Sequence, residues 1–426
     1  MRATSLPAPD MALAASLFDR LRRMGFDGRG VTRDAYGPGE QGAHALIAET
    51  GASLGLEVRY DAARNLYLTL PGHDRAAPRA MTGSHLDSVP CGGNFDGAAG
   101  VVAGVAVLAG WRRGGYTPPA DVVVMAVRAE ESTWFPYSYL GSKAAFGLVG
   151  REVLDLPRSD TGRSFAQHLA DCGGEPDRFG EPWLDAARIS RFVELHIEQG
   201  PVLVEAGIPV GLVTGIRGSL RYRELMVLGE YAHSGAVPHA SRHDAVRAGA
   251  LLIAALDGDW QAVEDEGGDL VLTFGKFATD PAQHAFSKVA GEAALCVDIR
   301  SQDSATLERF DALVRRRAAE IGTAARVRFV LGPRTGSAPA VMDDAIRAGL
   351  QAAAGRHGIP VLTMASGAGH DAAVFAQQGI ASGMVFVRND CGSHNPHEKM
   401  DLADFALGTV LLGEALAAAA PFPLNS

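Results

Sequence analysis

The segment Val122-Val-Val-Met-Ala-Val127 runs without a polar interruption into Arg128-Ala-Glu130-Glu131. That junction constrains the fold more than any other feature. An unbroken apolar run of this length reads as a strand covered on both faces, since a strand with one wet face would alternate. Leu66–Leu70, Ala80–Leu86 and Phe192–Ile197 repeat the pattern, and Gly-punctuated helical stretches, notably Gly97–Arg113, lie between such runs. The alternation predicts an α/β domain with a largely covered sheet. Two consecutive carboxylates at the end of a buried strand are costly to desolvate without a compensating partner, so Glu130 and Glu131 call for one.

After Gly218 the texture changes. Arg221–Leu228, Leu270–Phe277 and Ala293–Arg300 read as partly alternating strands, with helical segments at Ala245–Leu256 and Ser304–Ile321. This suggests an α+β insertion with an exposed sheet. From about Ala338 the first texture returns, with a helix and the strands Val361–Met364 and Met384–Val387. The expected organisation is a discontinuous α/β catalytic domain over 1–213 and 334–426, interrupted by a smaller domain over 214–333. The length of 426 residues accommodates both.

Charge narrows the partners. Against 39 basic residues stand 49 acidic ones, a formal net charge of -10, which argues against a nucleic-acid or membrane surface. A small anionic substrate remains compatible, because a local arginine or metal can overrule the global sign. Met1–Met24 lacks the apolar core of a signal peptide, and the longest apolar run, Ala98–Trp111, is too short to span a bilayer. With four scattered cysteines, Cys91, Cys172, Cys296 and Cys391, the expectation is a cytoplasmic protein without a disulfide framework.

Four segments concentrate His, Asp and Glu at probable strand ends. In Thr82-Gly-Ser-His-Leu-Asp-Ser-Val-Pro90, His85 and Asp87 are two apart and share a face on a strand. One could bind a metal while the other orients it; a buried hydrogen-bonded pair fits equally. Asp96, in the Gly-rich Gly93-Asn-Phe-Asp-Gly97 before a helix, could turn both oxygens to neighbouring ions or cap the helix. The tandem Glu130-Glu131 suggests a division of labour, one coordinating a cation and the other facing a reacting water; a solvated loop is the plainer alternative. Glu194, His196 and Glu198 alternate along Phe192–Pro201, and Gly392-Ser-His-Asn-Pro-His-Glu398 offers His394 or His397. Nitrogen and oxygen donors without thiolate suit zinc, manganese, cobalt or nickel, and a carboxylate shared by two ions would make a bimetallic site. Cys391-x-x-His394 has no second such pair and makes a poor structural zinc site.

No P-loop is present. Gly367-Ala-Gly369-His-Asp-Ala372 imitates a dinucleotide fingerprint, so a nicotinamide-dependent oxidoreductase is an alternative. It leaves the four segments unexplained. A non-catalytic metal-binding protein is a third reading, with no evident use for the tandem glutamates.

Taken in order, Gly83-Ser-His-Leu-Asp87, Gly93-Asn-Phe-Asp-Gly97, the tandem glutamates, Glu194-Leu-His-Ile-Glu-Gln-Gly-Pro201 and Gly392-Ser-His-Asn-Pro396 resemble the hydantoinase/carbamoylase family of amidohydrolases. This is a branch of the aminoacylase-like metallopeptidases. The resemblance implies a di-metal peptidase-like catalytic domain with an inserted lid and dimerisation domain, hence a homodimer. It implies hydrolysis of an N-carbamoyl amino acid or related ureido acid to ammonia and carbon dioxide, with an aminoacylase or dipeptidase as the alternative. Two divalent ions per subunit are implied, bridged by Asp96 and completed by His85, Glu131, His196 and His394. Glu130 takes the place of the general base and acid, and Asp87 that of a support for His85. Within Gly229-Glu-Tyr-Ala-His-Ser-Gly235, His233 takes the place of the group that hydrogen-bonds the oxyanion. Arg300 takes that of the arginine for a substrate carboxylate, and Gln199 and Gly369 those of further substrate contacts.

The chain departs from the family's pattern at two places. Ser287, in Ser287-Lys-Val-Ala-Gly291, stands where the family usually has asparagine, and a hydroxyl cannot reproduce both amide hydrogen bonds. Ser132-Thr-Trp-Phe-Pro-Tyr137 also differs from the common Gly-Ser-Arg-Phe. Arg217 and Trp134 are therefore candidates to shape a different substrate pocket, or else a surface arginine and a packed aromatic.

Overall fold

The computed structural model describes residues 6–418; of the stretch read for an export signal, residues 1–5 lie outside them. Two compact units form, Met1–Thr214 with Val341–Ser426, and Gly215–Ala340. In chain order the strands are β1 (Glu57–Tyr60), β2 (Leu66–Leu70), β3 (Arg79–His85), β4 (Val122–Val127), β5 (Ile189–Ile197) and β6 (Val210–Ile216). Then come β7 (Gly218–Leu228), β8 (Val271–Ala278), β9 (Glu292–Ser301), β10 (Arg328–Val330) and β11 (Arg334–Ser337), followed by β12 (Val361–Ser366) and β13 (Ser382–Val387).

The first unit is built on a sheet ordered β1-β2-β4-β3-β5-β13-β6, with β12 and the two-residue strand Ala340–Val341 also on β6. Its centre is parallel, β4 with β3, β3 with β5 and β5 with β13. Every residue of β4 and β13 is buried, as expected where helices cover both faces. Helix α1 (Ala98–Arg113) is buried from Ala98 through Trp111. Its glycines explain how it settles so deeply. A Cβ at Gly100 would lie 2.3 Å from the Leu195 carbonyl oxygen, and one at Gly104 2.8 Å from Val124.

The inserted unit is an antiparallel sheet ordered β10-β7-β9-β8, with β11 also pairing β7. Burial along β9 alternates, the signature of a sheet wet on one face. Helices α2 (Ala245–Asp265) and α3 (Ser304–Ala325) cover the other face over Tyr222, Leu225, Leu252, Phe310 and Val314. The boundary expected after Pro333 is too early. Arg334–Ser337 pairs with β7 from Arg334↔Tyr222 to Ser337↔Ser219, because β7 is long enough to hold two short strands end to end. The unit closes at Ala340.

Beneath the glutamates lies a buried ion pair. Arg128 Nη1 is 2.9 Å from Glu40 Oε2, and both side chains are fully enclosed. Glu40 also accepts from the backbone N–H groups of Tyr36 and Ala129, which anchors the turn leading to Glu130. Burial pushes the Glu40 carboxyl up to about 7, against the pull of Arg128. Glu40→Ala strands the Arg128 charge in the interior. We expect it to lose about 3–5 kcal/mol of stability, read from urea unfolding midpoints.

Candidate active site

The carboxyl ends of the parallel strands gather the chemistry, as open α/β sheets do. His85 ends β3, His196 is next to last in β5, and Glu130 and Glu131 follow β4. The loop before α1 supplies Asp96, and the segment after β13 supplies His394.

Asp96 is the hub. Its Oδ1 stands 3.4 Å from His85 Nε2 and 3.2 Å from His196 Nε2. Its Oδ2 stands 3.2 Å from His394 Nε2, which is 2.9 Å from Glu131 Oε1. Two donor sets meet at Asp96, His85–Asp96–His196 and Asp96–Glu131–His394, sharing its carboxylate; a third grouping, Glu194–His196–His370, touches the first through His196. Of His394 and His397, only His394 belongs to either. Divalent ions sit about 2.0–2.2 Å from such donors, which holds tetrahedral neighbours roughly 3.3 Å apart, close to the spacings here. Asp96 Oδ1 is buried and accepts no hydrogen bond of good geometry, an unmet acceptor beside two imidazoles.

The electrostatics agree. Burial opposes charge on His85, yet Asp87 and Asp96 raise its pKa well above the usual imidazole range. His394 is held up to about 10 by Asp96 and Glu131. Against its own burial, Asp96 is held far below the carboxylate range by His196, His394 and His85. The carboxylates demand positive charge between them, and the residues fit two divalent cations.

Asp87 organises the next layer. Its Oδ1 lies 3.3 Å from His85 Nδ1. The same oxygen accepts the Glu130 N–H at 3.1 Å, and Oδ2 accepts the Glu131 N–H at 3.2 Å. One buried carboxylate thus orients an imidazole and both glutamates. Burial raises the Glu130 carboxyl well above its ordinary range; Glu131, Asp371 and Asp87 push the same way and His85 opposes them. Backbone strain collects here too, with positive φ at Ala129 (49°), Gln199 (66°) and His394 (59°).

Three neighbouring carboxylates take roles that the sequence does not assign. Glu194 accepts from Ser84 Oγ at 2.7 Å and from the Ala372 N–H at 2.8 Å, so both its oxygens are spent on support. Glu198 accepts the N–H groups of Val202 and Leu203. Glu398 is the more consequential. It accepts from the backbone N–H groups of Phe95 at 2.7 Å and Asp96 at 3.2 Å. Its other oxygen meets the Ser393 hydroxyl at 2.7 Å, so it clips the Asp96 loop to the His394 loop. A Cβ on Gly93 would collide with it at 2.0 Å. We expect Glu398→Ala to weaken metal binding by about 10–100-fold, measured by competition with a chromogenic chelator.

A profile of peptidase family M20/M25/M40 matches residues 81–418. The chain belongs to that family. It is 32% identical to the N-carbamoyl-L-amino acid amidohydrolase of Geobacillus stearothermophilus over 93% of this chain and 96% of that protein. It is 33% identical to the allantoate amidohydrolase of Escherichia coli strain K12, over 90% and 91%. A hydantoinase/carbamoylase family amidase from Burkholderia multivorans superimposes with a TM-score of 0.88 at 27% identity, over 97% of this chain and 98% of that one. This M20-family chain is thus an amidohydrolase of the hydantoinase/carbamoylase group, and the oxidoreductase alternative is set aside. The glycines that suggested it serve another end. A Cβ on Gly369 would lie 1.6 Å from Tyr139 Oη, while the His370 ring packs edge-on to His196 at 4.5 Å. Asp371 accepts from Ser142 Oγ at 2.6 Å. Gln199 donates from Nε2 to Asp96 Oδ2 at 3.0 Å, beside the donor sets.

The remaining candidates lie in the inserted unit. His233 is exposed in the short strand Ala232–His233, paired with Lys288–Val289, and the Ser234 N–H donates to the Ser287 carbonyl. Ser287 is therefore a close companion of His233. Arg300 is bonded to Asp298 at 2.9 Å. Arg217 spends Nε and Nη2 on Asp269, which also accepts the Gln302 N–H; its fork is committed to an ion pair. In the first unit, Trp134 is buried and donates to the Ser88 carbonyl, the packed-aromatic reading. The four cysteines are free, and among the described residues no helix is long and apolar enough to cross a membrane.

Proposed function

We propose that the chain hydrolyses the ureido C–N bond of an N-carbamoyl amino acid or a related ureido acid, giving the amine, carbon dioxide and ammonia. The observation that carries this reading is the single Asp96 shared by two donor sets, beside a Glu130 held by the same Asp87 that faces His85. The names of the relatives supply the substrate class.

His85, Asp96 and His196 would hold one divalent ion, and Asp96, Glu131 and His394 the other, from zinc, manganese, cobalt or nickel. When bound, such ions polarise a carbonyl and lower the pKa of water. Glu130, whose carboxyl burial pushes up and a neighbouring cation would pull down, takes the proton of the attacking water and delivers it to the leaving nitrogen. Asp87 fixes the angle from which it does so. His233 supports the developing oxyanion, and Arg300 exchanges Asp298 for the substrate carboxylate, suited by its planar fork. Gln199 and Gly369 line the substrate's path. Residues 214–333, extended to Ala340, serve as lid and dimer contact in a cytoplasmic homodimer. Supporting this, β8 is an edge strand and Phe277, Leu251 and Val246 are exposed on this unit.

Ser287 favours keeping a second reading, an aminoacylase or dipeptidase, because the family's amide contact is missing there. Stripped enzyme reloaded with each metal and given carbamoyl, ureido and acyl amino acids separates the two. Ammonia release from the first two groups is the expected result; turnover of acyl substrates alone, without ammonia, transfers the assignment to the second reading.

A further inference from the structure

At the opposite end of β3 from His85 the molecule carries a second concave site. Arg79 begins the strand and His85 ends it, so the two ends lie about 20 Å apart at roughly 3.3 Å per residue. The cleft has a volume of about 350 Å³ and is lined by four arginines, Arg59, Arg75, Arg79 and Arg188, against two acids, Glu57 and Asp121. Both acids are consumed. Arg75 takes both oxygens of Glu57 at 2.6 and 3.0 Å and one of Asp121 at 3.1 Å. The remaining Asp121 oxygen accepts the Gly72 N–H.

Among the described residues no carboxylate is paired with Arg59, Arg79 or Arg188. Burial and the nearby Arg188 charge lower the Arg79 pKa below its ordinary value. Three guanidiniums without a direct ion pair gather in one hollow of a chain with net charge -10; Asp121 and Asp185 offset Arg79, and Glu57 faces Arg59, only from a distance, which leaves a local demand for an anion. Their frame is fixed: Arg59 pairs across strands with Tyr67, and Arg79 with Ile189, the neighbour of Arg188. The far wall is Trp183, 39% exposed, its ring 5.8 Å from that of Tyr67. The backbone N–H groups of Trp183 and Leu184 are pinned to the Ala145 carbonyl. Guanidinium forks match phosphate oxygens bidentately, an exposed indole face accepts a planar ring, and the volume suits a small metabolite.

We propose that this cleft binds a small phosphate monoester bearing a planar ring, of the mononucleotide class, with the phosphate on Arg79 and Arg188 and the ring against Trp183. The site is independent of the hydrolytic reading. Calorimetric titration of the metal-loaded enzyme with adenosine monophosphate, adenosine and inorganic phosphate tests it. The expected result is saturable binding of the monophosphate at one per chain, with adenosine and phosphate each at least about tenfold weaker. Arg188→Gln, at an exposed position, should weaken the monophosphate at least about tenfold with turnover and melting temperature unchanged; Arg79→Gln should do the same to binding. The proposal is overturned if the monophosphate shows no saturation by about 10 mM. It is equally overturned if Arg188→Gln binds like wild type, or if phosphate alone binds as tightly as the monophosphate.

Discussion

Glu130→Gln should lower turnover by about 10²–10⁴-fold while the protein keeps both metal equivalents. The substitution is nearly isosteric, and the backbone N–H that Asp87 Oδ1 accepts belongs to residue 130 whatever its side chain. Placement therefore survives and only proton transfer is lost. The magnitude follows from the chemistry: an amide cannot accept the proton of the attacking water or return it to the leaving nitrogen. None of the donor atoms of the two metal sets belongs to Glu130, so loading should match wild type by elemental analysis. Ammonia release measured beside metal content gives a sharp outcome. A fully loaded variant that turns over near the wild-type rate removes Glu130 from the mechanism, and one that loses metal shows that it ligates instead.

Legibility in the sequence followed how local each signal was. The strand Val122–Val127 was readable to the residue, because six apolar positions in a row have one economical fate. Helix α1 was readable for a similar reason, with its glycines marking close approach. What the spacing of His85 and Asp87 could not reveal is that Asp87 also accepts the Glu130 and Glu131 N–H groups. That contact joins two strands and is invisible to periodicity. Glu398 was in plain view within Gly392–Glu398, but its partners Phe95 and Asp96 lie some three hundred residues earlier. His370 was hidden by a glycine pattern with a more familiar meaning. The boundary at Pro333 falls short because the register on β7, a contact with residues more than a hundred positions earlier, decides that Arg334–Ser337 is strand. Arg217 could not be told from a ligand-binding arginine until Asp269 was found opposite it.

Asp96→Asn should cost more than any other single change, because Asp96 is the only residue common to both donor sets. Its Oδ1 faces His85 and His196, and its Oδ2 faces His394. Asparagine keeps one acceptor oxygen and puts an NH₂ group in place of the other, and an amide nitrogen is no ligand for a divalent ion. Whichever way the amide turns, one set loses its shared donor. Metal content should fall from two equivalents to at most one, and turnover by at least about 10³-fold, since a lost Lewis acid removes several kcal/mol of transition-state stabilisation. Stability should report the same loss. Metal that binds only the folded chain raises its melting temperature by mass action, so the rise seen on adding metal to stripped wild type should shrink in the variant. His394→Ala is the control, since it removes a donor from one set alone and should leave the His85–Asp96–His196 ion in place. Two equivalents bound by Asp96→Asn with undiminished affinity would rule out the shared carboxylate, and the two-ion reading of this site with it.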